Sequence, residues 1–313
     1  MARRMPQAAG IFIQAESELA AINMVFGASA AGARVMTSSS SPGISLKQEG
    51  ISYIAGAQLP AVIVNVMRGG PGLGNIWPSQ SDYFQATRSG GHGDYHCLVL
   101  APSTVQESFD YMFLAFDLAD QYRSPVMILS DGMLGQMMEP IVVKSKIQNP
   151  KSKIKKPWVL SGCKGRKPNI AKSFYMRQGD LEKFNLALQE KYLRIQKIEQ
   201  RWESANLSGA RIILVAYGTM GRAVKSAVDT LRKKGKKVGF IRPITLWPFP
   251  KKAFTYNLSP NTHYLVVEMS YGQMFEDVKL AVDGKAKVEF LGRAGGGIPT
   301  EEEIIKTALS LKL

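Results

Sequence analysis

Short apolar runs alternate with longer helical stretches from Gly10 to about Val143, and few folds accept that alternation. The strand-like runs are residues 11–14, 34–37, 61–67, 97–100 and 126–130. Between them lie stretches with helical spacing, 19–33, 45–55 and 104–122, the last carrying Phe109, Met112, Phe113, Phe116 and Leu118 on one period. Strand and helix in turn predict an α/β fold with a parallel sheet, and in such sheets ligands bind where strands end.

The chain changes character after Val143. Lys144-Ser145-Lys146-Ile147 recurs as Lys151-Ser152-Lys153-Ile154, a repeat too short and polar to bury a core, which predicts a solvated loop or insertion. Residues 181–203 then predict a connector helix lying across both halves of the molecule. From Ala210 a second α/β unit follows, with strands at 211–217, 237–242 and 264–268 and a helix at 222–233. Gly218 and Gly221 resemble half of a dinucleotide-binding fingerprint, but no third glycine or ribose-binding acid is placed to complete it.

Candidate chemistry gathers in the first unit. Glu18 stands where residues 10–14 run into the first helix. It suits either catalysis or the first turn of that helix, where Glu16 and Glu18 offset the positive end of the dipole. The hydroxyl run Ser38, Ser39, Ser40 and Ser41, closed by Pro42 and Gly43, follows the second run. Arg68, Gly69 and Gly70 open a glycine-rich loop after the third, and His92 sits among glycines before the fourth. In a parallel sheet the first two of these loops and Glu18 reach the same edge. The serines read as a pocket lining or as an ordinary turn. Arg68 reads as a partner for an anionic substrate or for an acid of another chain, and His92 as a substrate contact or an exposed loop residue.

Composition narrows the classes. The net charge of +15 suggests nucleic acid, yet the stretch between Glu139 and Asp180 holds eleven bases and no acid, without interleaved aromatic stacking residues at the repeat. The basicity is local, and no nucleic-acid partner is expected. Two cysteines, Cys97 and Cys163, form neither a disulfide framework nor the ligand set of a cluster. No apolar run spans a membrane and the opening residues do not form a signal peptide, so a cytoplasmic location is expected.

The segments Gln14-Ala15-Glu16-Ser17-Glu18-Leu19-Ala20-Ala21-Ile22-Asn23, Ser38-Ser39-Ser40-Ser41-Pro42-Gly43, Met67-Arg68-Gly69-Gly70-Pro71-Gly72 and Gly90-Gly91-His92-Gly93-Asp94-Tyr95 together resemble the alpha subunit of 2-oxoacid:ferredoxin oxidoreductases. The 2-oxoisovalerate, branched-chain type is the nearest match. The resemblance implies a thiamine-diphosphate-binding fold: a pyrimidine-binding domain at 1–143, the basic loop and connector helix at 144–206, and a transketolase C-terminal-like α/β domain at 207–313. It implies thiamine diphosphate shared with a beta subunit, with Glu18 bonded to the aminopyrimidine ring, and Ser38 to Gly43 lining the cofactor pocket. Mg²⁺ is expected on the beta subunit, because neither Gly93-Asp94-Tyr95 nor Gly179-Asp180-Leu181 continues as a diphosphate-binding loop. An iron–sulfur cluster, [4Fe-4S], is expected on another subunit; gamma and ferredoxin-like subunits, ferredoxin and coenzyme A are the other expected partners, and this chain alone should be inactive.

The chain opens at Ala2-Arg3-Arg4-Met5-Pro6, without the Tyr-Pro-Ile-Thr-Pro segment of the family. A first strand and helix are therefore expected to be missing. The alternatives are a 2-oxoglutarate-type subunit and a non-catalytic subunit of such a complex.

Overall fold

A computed structural model describes residues 1–143, 154–255 and 258–311. Two five-stranded sheets organise them. The first is built from β1 (Met36–Ser39), β2 (Ala61–Met67), β3 (Leu98–Leu100) and β4 (Pro125–Asp131), with α1 (Glu18–Ala30), α2 (Pro42–Gly56), α3 (Tyr83–Thr87), α4 (Val105–Tyr122) and α5 (Gly132–Gln136) around it. Then come α6 (Asp180–Ile198), β5 (Trp202–Ala205), β6 (Ile212–Val215), α7 (Met220–Lys233), β7 (Val238–Pro243) and β8 (Thr245–Trp247). The chain closes with β9 (His263–Glu268), α8 (Gln273–Val282), β10 (Lys287–Gly292) and α9 (Glu301–Ser310).

The strand orders are β1-β2-β4-β3-β8 and β10-β9-β6-β7-β5. Both sheets are parallel except for one antiparallel edge each, β8 against β3 and β5 against β7. The central strands β2 and β4 run together from Ala61↔Pro125 to Met67↔Asp131, and β4 is buried throughout. Burial explains their largely apolar sequence, broken by Asn65 in β2 and by Ser130 and Asp131 at the end of β4.

Two expectations fail, each for a physical reason, and one strand goes where no local reading would send it. Residues 11–14 belong to neither sheet: Ile11 and Ile13 are 84% and 65% exposed, and an apolar run without a neighbouring ladder is not a strand. The connector helix ends at Ile198 rather than near 203, and Trp202 to Ala205 become β5 by pairing with β7. Strand β8 leaves the second half of the chain and completes the first sheet, where Trp247 pairs with Val99 and stacks on His96 at 4.4 Å. Short edge strands are set by the sheet that receives them, not by local sequence.

The basic repeat lies outside the described residues up to Lys153. Beyond it the chain is packed. Lys156 Nζ reaches the buried Asp120 at 2.8 Å, Trp158 lies under Arg123, and Leu160 N donates to Ala30 O at 2.9 Å. No helix among the described residues is long and apolar enough to cross a membrane.

Candidate active site

Ser17 starts α1 with extended backbone, and its Oγ accepts from Ala20 N at 3.1 Å. That cap places Glu18 at the first helical position, where the dipole favours a carboxylate. The helix packs closely on α2, since a β-carbon on Gly50 would stand 2.7 Å from Ile22 Cγ1. The same closeness recurs one helical end earlier: a β-carbon on Gly43 would overlap Ser39 Oγ and stand 2.7 Å from Glu18 Oε1. Only glycine leaves room for the carboxylate there.

The hydroxyl run is not one loop. Ser38 and Ser39 are the last residues of β1, paired in register with Val64 and Asn65, while Ser40 and Ser41 make the turn and Pro42 and Gly43 begin α2. Ser41 is the junction. Its N–H donates to Asn65 Oδ1 at 3.2 Å, its Oγ donates to Asp82 Oδ2 at 2.6 Å, and the same Oγ accepts from Arg68 N at 3.1 Å. Asn65 Nδ2 also donates to Asp82 Oδ2 at 2.9 Å, so the ends of β1 and β2 and the start of α3 form one network.

Beside this network opens a cleft of about 590 Å³, lined on one side by Ser41, Pro42, Arg68, Gly69 and Gly70 and on the other by Tyr271, Gln273 and Gly295. Among the described residues Arg68 has no ion pair, and its Nε is buried without a hydrogen-bond partner. A guanidinium in that condition is suited to an anion from outside the chain. His92 is placed apart. It is exposed in a loop whose Gly90 and Gly91 pack on Gln48, beyond Gly43 along α2, and it does not line the cleft.

Three contributors were not singled out from the sequence: Lys47, Asn65 and Asp82. Asn65 is fully buried within an otherwise apolar strand, and that single polar break in the run 61–67 is the signal that could have found it. Lys47, one turn after Gly43, is 1% exposed. Burial lowers the Lys47 amine below its ordinary range, and the Glu18 charge opposes that shift. Among the described residues no group of three or more His, Cys, Asp or Glu side chains is placed to hold a metal ion.

Known proteins match the whole arrangement. Residues 1–204 match the family described as pyruvate flavodoxin/ferredoxin oxidoreductase, thiamine diphosphate-binding, and residues 210–304 match the pyruvate:ferredoxin oxidoreductase core domain II. The chain is 50% identical to the ketoisovalerate oxidoreductase subunit VorB of Methanothermobacter marburgensis, over 97% of this chain and 86% of that protein. A 2-oxoglutarate:ferredoxin oxidoreductase from Magnetococcus marinus, solved with 2-oxoglutarate, coenzyme A and succinyl-CoA bound, superposes with a TM-score of 0.81 at 25% identity. That match covers 98% of this chain, which spans 58% of the solved one. A split-gene transketolase, an inactive beta4 tetramer, shares the fold alone, with a TM-score of 0.51 at 11% identity over 100% of this chain and 87% of that one. The parallel sheets, the carboxylate at their edge and these likenesses lead to one assignment: the chain belongs to the alpha-type subunits of the 2-oxoacid:ferredoxin oxidoreductases.

Proposed function

We propose that this chain contributes the pyrimidine-binding half of a thiamine diphosphate site to an oxidoreductase acting on a branched-chain 2-oxoacid, 3-methyl-2-oxobutanoate. The observation that carries the reading is the Glu18 carboxylate held against the glycine at the start of α2, at the carboxyl edge of a parallel sheet. The residues fit the aminopyrimidine end of the cofactor. Gly43 keeps a surface free of side chain beneath Glu18, and Ser39 Oγ supplies a hydroxyl beside it.

Thiamine diphosphate, when bound, supplies a nucleophilic carbon and an electron sink for decarboxylation. Glu18 holds and returns a proton at its Oε1. Ser41, Asn65 and Asp82 fix the turn that presents Gly43, and Arg68 faces the cleft as the cation for a substrate carboxylate or for coenzyme A. A beta subunit is assigned the diphosphate and Mg²⁺, and further subunits the [4Fe-4S] clusters that pass electrons to ferredoxin. The overall reaction consumes the 2-oxoacid, coenzyme A and oxidised ferredoxin and yields acyl-CoA, carbon dioxide, a proton and reduced ferredoxin, which takes up the two electrons released.

The 50% identity to a ketoisovalerate subunit, against 35% to the 2-oxoglutarate synthase subunit KorA of the same organism, favours the branched-chain substrate. The test is co-expression with the neighbouring subunits and a 2-oxoacid panel read by coenzyme A-dependent viologen reduction. 3-Methyl-2-oxobutanoate should be oxidised most efficiently, and the chain alone should be inactive. A preference for 2-oxoglutarate would move the chain to the other substrate class, and no reduction with any 2-oxoacid would make it a non-catalytic subunit.

A further inference from the structure

Lys47 carries a charge where charge is costly. It lies on the inward face of α2, and its ammonium donates to Thr37 Oγ1 at 2.8 Å and to Ser38 O at 3.1 Å, both on β1. Among the described residues it has no ion-pair partner. An ammonium has three donors, so one is left after these two bonds. Stability alone gives little reason for such a residue, because a buried charge is often replaced by an apolar side chain of similar volume without loss.

Its surroundings suggest another role. Thr37 and Ser38 immediately precede Ser39, whose hydroxyl lies with Glu18 Oε1 against Gly43. Lys47 therefore ties α2 to the end of the strand that supports the carboxylate. Glu18, on α1, is the charged group that acts on it through space.

We propose that Lys47 is a positioning residue for Glu18, a buried cation that fixes the end of β1 beside the carboxylate and supplies the counter-charge against which its proton moves. The inference rests on the role given to Glu18 above.

Two variants separate charge from bonding. Lys47→Met removes both the charge and the hydrogen bonds, and Lys47→Gln keeps donors for Thr37 and Ser38 without the charge. In the assembled complex both should lower kcat by about 10–100-fold, the range seen when the outer partner of a functional group is removed, with the KM for the 2-oxoacid little changed. The melting temperature of Lys47→Met should stay level or rise. Full activity in Lys47→Gln would assign the effect to hydrogen bonding and overturn the counter-charge. A large fall in melting temperature with turnover kept would make Lys47 structural.

A second readout needs no activity. In NMR spectra of the full chain, the Lys47 side-chain signal, identified by its loss in Lys47→Met, should titrate at lower pH in Glu18→Gln than in the unmodified protein, because the coupling between the two charges is reciprocal. An unchanged titration would overturn the proposal. Normal turnover in Glu18→Gln with a shifted Lys47 titration would instead refute the catalytic role of Glu18 and leave the coupling standing.

Discussion

Gln80 and Tyr217 exchange hydrogen bonds across the boundary between the two sheets: Gln80 Nε2 donates to Tyr217 O at 3.0 Å, and Tyr217 OH donates to Gln80 O at 3.1 Å. Gln80 is fully buried, and its Oε1 also accepts from Met269 N at 2.9 Å. One side chain thus joins the loop that follows the Arg68 turn to the ends of β6 and β9. Its neighbours extend the seam, with Tyr83 OH donating to Asp277 and Gln273 Nε2 to Ser81 O. The cleft wall that carries Tyr271 and Gln273 is held to the Arg68 wall by this seam.

Gln80→Leu should therefore destabilise the chain by about 2–6 kcal/mol, since it leaves two buried backbone groups unpaired at about 1–3 kcal/mol each. Denaturant unfolding of the purified chain checks this. A change below about 0.5 kcal/mol, the size of an ordinary surface substitution, would mean that the seam does not hold the two sheets together.

The sequence made the interior of the first sheet legible because the physics there is local. Residues 61–67 read as a strand and form β2 over the same span, since burial favours an apolar run, broken within it by Asn65. The stretch 11–14 has the same character and no partner, and composition cannot distinguish the two. Glu18, the serine run and Arg68 could be located because they follow helix starts and strand ends. Asp82 and Lys47 could not, because their contacts to Ser41 and Thr37 arise only when α2 and α3 fold onto the ends of β1 and β2. Trp247 is the extreme case, reaching Val99 from 148 positions away only through the docking of β8.

Lys191 on α6 gives a pH-dependent prediction. It is 8% exposed, its ammonium donates to the neutral acceptors Gln58 Oε1 and Arg123 O, and burial lowers its amine to about 8. The unfolded lysine binds its proton up to about 10.4, so the folded chain carries the cost of the charge below pH 8 and is relieved of it as pH rises from about 8 to 10. Stability should increase through that window. Lys191→Met should be more stable at pH 7 by about 1–4 kcal/mol and should lose this rise. Parallel pH slopes in the two proteins would show that Lys191 does not produce it.

Gly43→Ala tests the space beside the carboxylate. The added methyl meets Ser39 Oγ and Glu18 Oε1, so one of them must move, at a cost of about 1–3 kcal/mol for overpacking. Turnover of the assembled complex should fall far more than this stability loss explains, because about 1 Å of displacement of a reacting group can cost ~10²-fold. Unchanged turnover would show that the Glu18 position is not set by this contact.

Glu18→Gln tests the chemistry itself. The amide keeps the shape of the side chain but cannot take up or return a carboxyl proton. Turnover of the assembled complex should therefore drop by about 10²–10⁴-fold, the usual contribution of general acid–base catalysis. Thiamine diphosphate affinity and assembly with the partner subunits should change much less. Glu16 is the internal control: it lies exposed before the Ser17 cap, two residues away, so it shares the local field but does not reach the Gly43 surface. Glu16→Gln removes only a surface charge near the helix start, worth about 0.3–1 kcal/mol, and should leave turnover nearly intact. Equal losses in the two variants, or the larger loss at Glu16, would place the proton-carrying role on the wrong carboxylate.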